Sequence, residues 1–115
     1  MAQSYYELNN EVHGHMQKYA QESPDVMQSF MQLHQSNAKD GALSVKVKEL
    51  MALSIGICVR CDGCIAFHVH DAIEAGATRE EIVETIGVAI LMGGGPSVVY
   101  GTKALQALED FMEKK

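Results

Sequence analysis

Between its breaks the chain carries apolar residues at three- and four-residue intervals and nowhere alternates apolar with polar, so helix is the regular structure its pattern supports. Leu8, Val12, Met16 and Tyr19 recur at helical spacing within Tyr5 to Tyr19 and mark a peripheral amphipathic helix. Ser23-Pro24-Asp25 reads as a helix start, with Ser23 as cap, Pro24 at the first helical position and an acid in the first turn, leading into Val26 to Gln35. Asp40-Gly41 breaks the chain, and Ser44 caps a third helix that ends near Arg60, with Val47, Leu50, Met51, Ser54, Ile55 and Cys58 as its core-facing stripe. A fourth helix runs from Cys61 or Asp62 to Glu74 or Ala75, and Gly76 sits where a left-handed C-terminal cap is favoured. Thr78-Arg79-Glu80-Glu81 is a capping box that opens a fifth helix rich in Ile82, Val83, Ile86, Val88, Ala89, Ile90 and Leu91. Gly93-Gly94-Gly95-Pro96 interrupts it, and Ser97 to Met112 forms the last, with Val98, Tyr100, Ala104, Leu105 and Leu108 available for packing.

A chain of 115 residues has length for one hydrophobic core, so the expectation is a single all-α domain, 1–115, of about six helices. Its formal charge of -6, with no cluster of Lys and Arg, disfavours nucleic acid and anionic membrane surfaces as partners. Met1 to Glu11 is polar and lacks the basic and apolar blocks of a signal peptide, which makes the cytoplasm the expected compartment. The most apolar run, Ile86 to Gly95, is too short to span a bilayer and is interrupted by glycines. Within it Val88 to Met92 is apolar on every side, which in so small a domain predicts burial against another copy of the chain in a homo-oligomer.

The chemistry concentrates in Cys61-Asp62-Gly63-Cys64-Ile65-Ala66-Phe67-His68. Three cysteines, two of them in Cys-x-x-Cys, do not resemble a secreted disulfide framework and fit catalysis or metal binding better. Cys64 and His68 stand at i and i+4 and share a helix face, while Cys61 lies one turn earlier. Such a pair can close a disulfide, and a nearby base can make one sulfur a thiolate. A free thiol with a pKa of about 8.5 is only a few per cent ionised at neutral pH, and a drop of about two units makes the thiolate the majority form. Helix-start N–H groups favour that charge on Cys61 or Cys64, and His68 can accept or share the Cys64 proton. Cβ atoms at i and i+3 of a regular helix are roughly 5–6 Å apart against about 3.5–4.5 Å in a disulfide, so Cys61 is expected at the cap position. Glu49 is the one acid on a stripe with Val45, Ala52, Leu53 and Gly56; facing the His68 pocket, it would be buried and suited to proton relay. The alternative is a surface carboxylate paired with Lys46, and periodicity does not separate the two.

Zinc is the competing chemistry for Cys-x-x-Cys followed by His68 and His70. On one helix those histidines are separated by about 200°, so they cannot both face the cysteines. A closed site would then need a distant fourth ligand such as His13, His15 or His34, and no metal is expected. His70 is expected in solvent or at a subunit contact, Cys58 as a buried structural thiol, and the scattered methionines as core or interface filler.

With Glu49, Cys61, Cys64 and His68 assembled, the pattern is Glu, eleven residues, then Cys-x-x-Cys-x-x-x-His, which resembles the alkylhydroperoxidase D-like branch of the carboxymuconolactone decarboxylase family. Ala72-Ile73-Glu74-Ala75-Gly76-Ala77-Thr78-Arg79-Glu80-Glu81-Ile82 and Met92-Gly93-Gly94-Gly95-Pro96 also look like this family, so the likeness covers roughly 43–108. The resemblance implies an all-helical fold assembled as trimers or hexamers. It implies a thiol-dependent antioxidant oxidoreductase of peroxiredoxin type, acting on a hydroperoxide or a disulfide, with no metal or organic cofactor. Cys64 then resembles the sulfur that attacks peroxide, Cys61 the one that resolves the sulfenic acid, and His68 and Glu49 the proton relay. A dithiol, such as a lipoyl or thioredoxin-like protein, would regenerate the pair. Gly63 departs from the pattern, since the best-studied members carry a histidine there. Two other functions remain open at this point: a redox-sensing or binding module without efficient turnover, and a lyase of the sister decarboxylase branch, which lacks the paired thiols.

Overall fold

A computed structural model describes residues 3–114; Met1, Ala2 and Lys115, the ends of the span expected as one domain, lie outside the described residues. Six α-helices follow one another: α1 Tyr5–Glu22, α2 Pro24–Asn37, α3 Val45–Cys58, α4 Asp62–Glu74, α5 Arg79–Gly93 and α6 Gly95–Glu113. The described residues contain no strand, as the absence of alternation predicts. None of their helices is long and apolar enough to cross a membrane.

The core lies among α3, α4, α5 and α6, where Leu53, Ile57, Ile65, Val69, Ile82, Ala89, Ala104 and Leu108 bury their side chains together. Small residues set how closely the helices approach. A Cβ on Gly101 of α6 would stand 2.7 Å from Ile86 Cγ2 of α5, so only a hydrogen fits at that crossing. α1 is tied to this core at its start, where the Tyr5 N–H donates to Asp110 Oδ2 at 2.8 Å and the Tyr5 hydroxyl donates to Asp62 Oδ1 at 3.2 Å. Burial first, and then the charge of Asp62, push the Tyr5 phenol far above its ordinary range. α2 has no buried residue and packs chiefly on α1.

Several helix ends follow the sequence signals. Ser44 caps α3 by accepting from the Val47 N–H, and Thr78 and Glu81 form both halves of the α5 capping box. Gly76 has φ +93°, with its N–H on Ile73 O and the Ala77 N–H on Ala72 O, the paired bonds of a Schellman ending. A second capping box, Ser4 with Glu7, opens α1 and was equally legible as Ser-x-x-Glu.

Three expectations need correction. Ser23 makes no side-chain cap on α2; its N–H instead bonds to Tyr19 O, so the residue is held as the end of an α1 that extends to Glu22. The last helix starts at Gly95 rather than Ser97, because Gly94, at φ +70°, turns the chain and Pro96 then occupies the first turn. On α3 the stripe is out of phase: Leu50 and Cys58 pack against the core, but Val47, Met51 and Ile55 are exposed and the buried face is Glu49, Leu53, Gly56 and Ile57. α3 is apolar on nearly all sides, so its hydrophobic period carries little directional information.

The α5–α6 crossing predicts that Gly101→Ala lowers stability by about 1–3 kcal/mol through overpacking. Gly14→Ala, in α1 with nothing within 4 Å of the added methyl, should raise it by about 0.5–1 kcal/mol. Thermal melts of the two variants should therefore move in opposite directions from the parent.

Candidate active site

The α3–α4 junction places the two sulfurs. α3 closes with Arg60 N–H on Ile57 O at 3.2 Å and Cys61 N–H on Gly56 O at 3.1 Å, a Schellman ending in which Arg60 takes the left-handed position at φ +59°. A residue with a β-carbon is uncommon there and is held only where its surroundings demand it. The next residue, Cys61, is extended at φ -110° and ψ 100° and caps α4, its Sγ accepting the Cys64 N–H at 3.1 Å. One cysteine thus ends one helix and starts the next, which is the cap position that disulfide spacing calls for. Cys61 and Cys64 are joined as a disulfide, with Cα atoms 5.2 Å apart. Across from them, a Cβ on Gly56 would stand 3.2 Å from Cys64 Cβ, so the glycine lets α3 lie directly against the second sulfur's residue.

One turn further along α4, His68 Nδ1–H donates to Glu49 Oε2 on α3 at 2.8 Å. Glu49 is largely buried, at 9 % exposure. Lys46, its alternative partner, instead pairs with Glu81 at 2.9 Å, so the open question about Glu49 resolves toward His68. An ionised carboxylate can only accept, so this bond puts a proton on Nδ1 and leaves Nε2 of a neutral ring as the free basic nitrogen. Among the described residues no hydrogen bond links the imidazole to either sulfur in the disulfide form. Asp62, between the cysteines, is engaged on the other side by the Tyr5 hydroxyl and by Lys103 Nζ at 3.5 Å. A Cβ on Gly63 would touch only Val12 of α1, at 3.8 Å.

Glu49 and His68, with His34, Asn37 and Lys48, are the polar lining of a mainly apolar pocket of about 440 Å³ between α2 and α3, walled by Phe30, Leu33, Leu43, Met51 and Ile55. The exposed residues of the misphased α3 stripe therefore have a place, since Met51 and Ile55 line this pocket. The cysteines lie outside its lining. His70 turns away from the site, as helix phase predicts, toward Asp71 at 2.9 Å and the ring of Phe111. Cys58 is a free, half-buried thiol that donates to Ala89 O at 3.5 Å and accepts from Ser97 Oγ at 3.8 Å. The sequence had no sign of Arg60, because the signal for that ending is glycine.

Comparison with known proteins follows the same pattern. The carboxymuconolactone decarboxylase family profile matches residues 24–107. A Cupriavidus necator protein described as uncharacterized is 39% identical over 85 residues, 74% of this chain and 75% of that one. The alkyl hydroperoxide reductase AhpD of Nocardia farcinica is 36% identical over 59 residues, 51% of this chain but 33% of its own length. Among solved structures, a carboxymuconolactone decarboxylase family protein from Legionella pneumophila superimposes with a TM-score of 0.89 at 41% identity, over 93% of this chain and 96% of that one. A Thermotoga maritima protein of the same family, described as a candidate for involvement in the antioxidative response, gives a TM-score of 0.82 at 30% identity, over 91% and 90%.

The pairing makes a direct chemical prediction. Air-oxidised protein unfolded in denaturant should titrate one thiol, Cys58, and three after reduction. Cys61→Ser should show two without reduction; a value of three in the oxidised parent would contradict the pairing.

Proposed function

The chain belongs to the carboxymuconolactone decarboxylase family, and from that premise we propose that it is a thiol-dependent oxidoreductase that reduces an organic hydroperoxide, or a disulfide, through Cys61 and Cys64. The observation that carries the reading is the disulfide at the start of α4 with a carboxylate-oriented imidazole one turn away. Decarboxylation has no use for paired thiols, and the likeness to AhpD points the same way.

In the reduced enzyme, Nε2 of His68 takes the Cys64 proton, directly or through water, and Glu49 stabilises the imidazolium that results. The Cys64 thiolate attacks the terminal peroxide oxygen, the O–O bond breaks, and the alcohol leaves with the proton returned from His68. Cys64 is then a sulfenic acid. Cys61 loses its proton, its sulfur attacks Cys64 Sγ, the disulfide forms, and hydroxide departs as water. A dithiol reductant restores both thiols by exchange. The apolar pocket beside Glu49 and His68 suits the tail of an organic peroxide better than hydrogen peroxide itself.

Peroxide consumption driven by a small dithiol should be abolished in Cys61→Ser and Cys64→Ser. In His68→Gln and Glu49→Gln, kcat/KM should fall by about 10²–10⁴-fold while the proteins stay folded. Turnover that survives in Cys64→Ser would overturn the mechanism. Stoichiometric oxidation without multiple turnovers would favour a redox sensor, and lactone decarboxylation that survives alkylation of both thiols would favour the lyase.

We also propose that the chain self-associates. Val88, Leu91 and Met92 on α5 are 56%, 79% and 77% exposed, and Ile55 on α3 and Val59 at its C-terminal cap are 60% and 64% exposed, apolar side chains that another copy of the chain would cover. Light scattering behind size exclusion should give a trimer or hexamer of the 12.6 kDa chain, and a monomer at micromolar concentration would contradict this.

A further inference from the structure

Beside the apolar pocket, α2, α3 and α4 bring His34, Glu49 and Asp71 together, with one potential ligand atom of each inside a span of 4.8 Å. The three, with Glu74, line a cleft of about 250 Å³ that adjoins the apolar pocket and shares His34, Ala38 and Glu49 with it. We propose that this cleft is a binding site for a first-row divalent cation of the zinc or manganese type, held by one imidazole and two carboxylates.

Charge is the first argument. Three carboxylates, Glu49, Asp71 and Glu74, face the cleft, and among the described residues no Lys or Arg forms an ion pair with any of them. The lysines nearest in sequence are engaged elsewhere, Lys46 with Glu81 and Lys48 with the carbonyl of Lys39. Only imidazoles approach these acids, so a cation would relieve a like-charge cluster that is partly removed from water.

Ligand orientation is the second. Each of the two inner carboxylates is held by a histidine of α4: His68 Nδ1 donates to Glu49 Oε2 at 2.8 Å, and His70 Nδ1 lies 2.9 Å from Asp71 Oδ1. Hydrogen bonds of this kind fix the direction of metal-ligating carboxylates, and each engages one oxygen and leaves the second outside that bond. The mixed donor set of nitrogen and oxygen suits zinc or manganese over calcium or copper(I).

Donors around a bound zinc stand about 3.4 Å apart, so the cluster must tighten on binding. His34 can supply that movement, because it is exposed on a helix with no buried residue. Asp71 lies two turns along α4 from Cys64, and neither cysteine belongs to the cluster. Glu49 is shared with the proposed proton relay, but cation binding by the oxidised protein can be read without turnover.

The test is calorimetric titration of zinc chloride, and separately manganese chloride, into air-oxidised protein, whose paired sulfurs cannot act as thiolate ligands. We expect saturable binding of about one cation per chain. His34→Gln and Asp71→Asn should each weaken it at least about tenfold, and His70→Gln by about 10–100-fold through loss of the orienting bond. His15→Gln, an exposed imidazole on α1, should bind as the parent does. Absence of saturable binding of either metal up to about 100 μM, or binding that survives both His34→Gln and Asp71→Asn, would overturn the proposal.

Discussion

The α3–α4 turn is the constraint on which the site depends. Arg60 accepts a left-handed backbone so that Cys61 can close α3 through its N–H and open α4 through its sulfur. Because Cys61 lies outside the helix proper, its side chain escapes the i to i+3 spacing that would hold two helical sulfurs too far apart to bond. The same turn brings α3 and α4 side by side, with Gly56 against Cys64 at one level and Glu49 against His68 farther along. The disulfide and the Glu49–His68 pair are therefore products of one helical hairpin.

That hairpin also explains why a buried acid is tolerated. Glu49 sits on the packed face of α3 with Leu53, Gly56 and Ile57, where an unpartnered carboxylate would be costly. His68 satisfies one oxygen from the facing helix. The bond fixes the imidazole tautomer, so one contact both satisfies the buried acid and orients the ring. Around it, α2 adds no buried residue of its own but walls the pocket that Glu49 and His68 also line.

Much of this was legible in the sequence, for physical reasons that differ residue by residue. Capping depends on a few adjacent residues, so Ser44, Gly76 and the Thr78 box could be read locally. The spacing of Cys61, Cys64 and His68 also survives folding unchanged, because it is contained in one helix and its cap. Glu49 could not be assigned that way: its partner lies 19 residues on, and only tertiary packing distinguishes His68 from Lys46. The α3 stripe failed because a helix apolar on most sides has no single preferred face, and Met51 and Ile55 turned out to line a pocket rather than the core. Arg60 was invisible for the opposite reason, its role being one that sequence patterns reserve for glycine.

The central proposal is that the Glu49–His68 pair activates the thiols of the reduced protein. Its most direct measure is the rate of alkylation of Cys61 and Cys64 against pH, followed by mass mapping, in the parent, Glu49→Gln and His68→Gln. The account predicts that in the parent the half-maximal rate of one of the two falls at a pH clearly below that of a free cysteine peptide, and that both substitutions move it upward. A parent profile matching the free peptide, unchanged by either substitution, would contradict it.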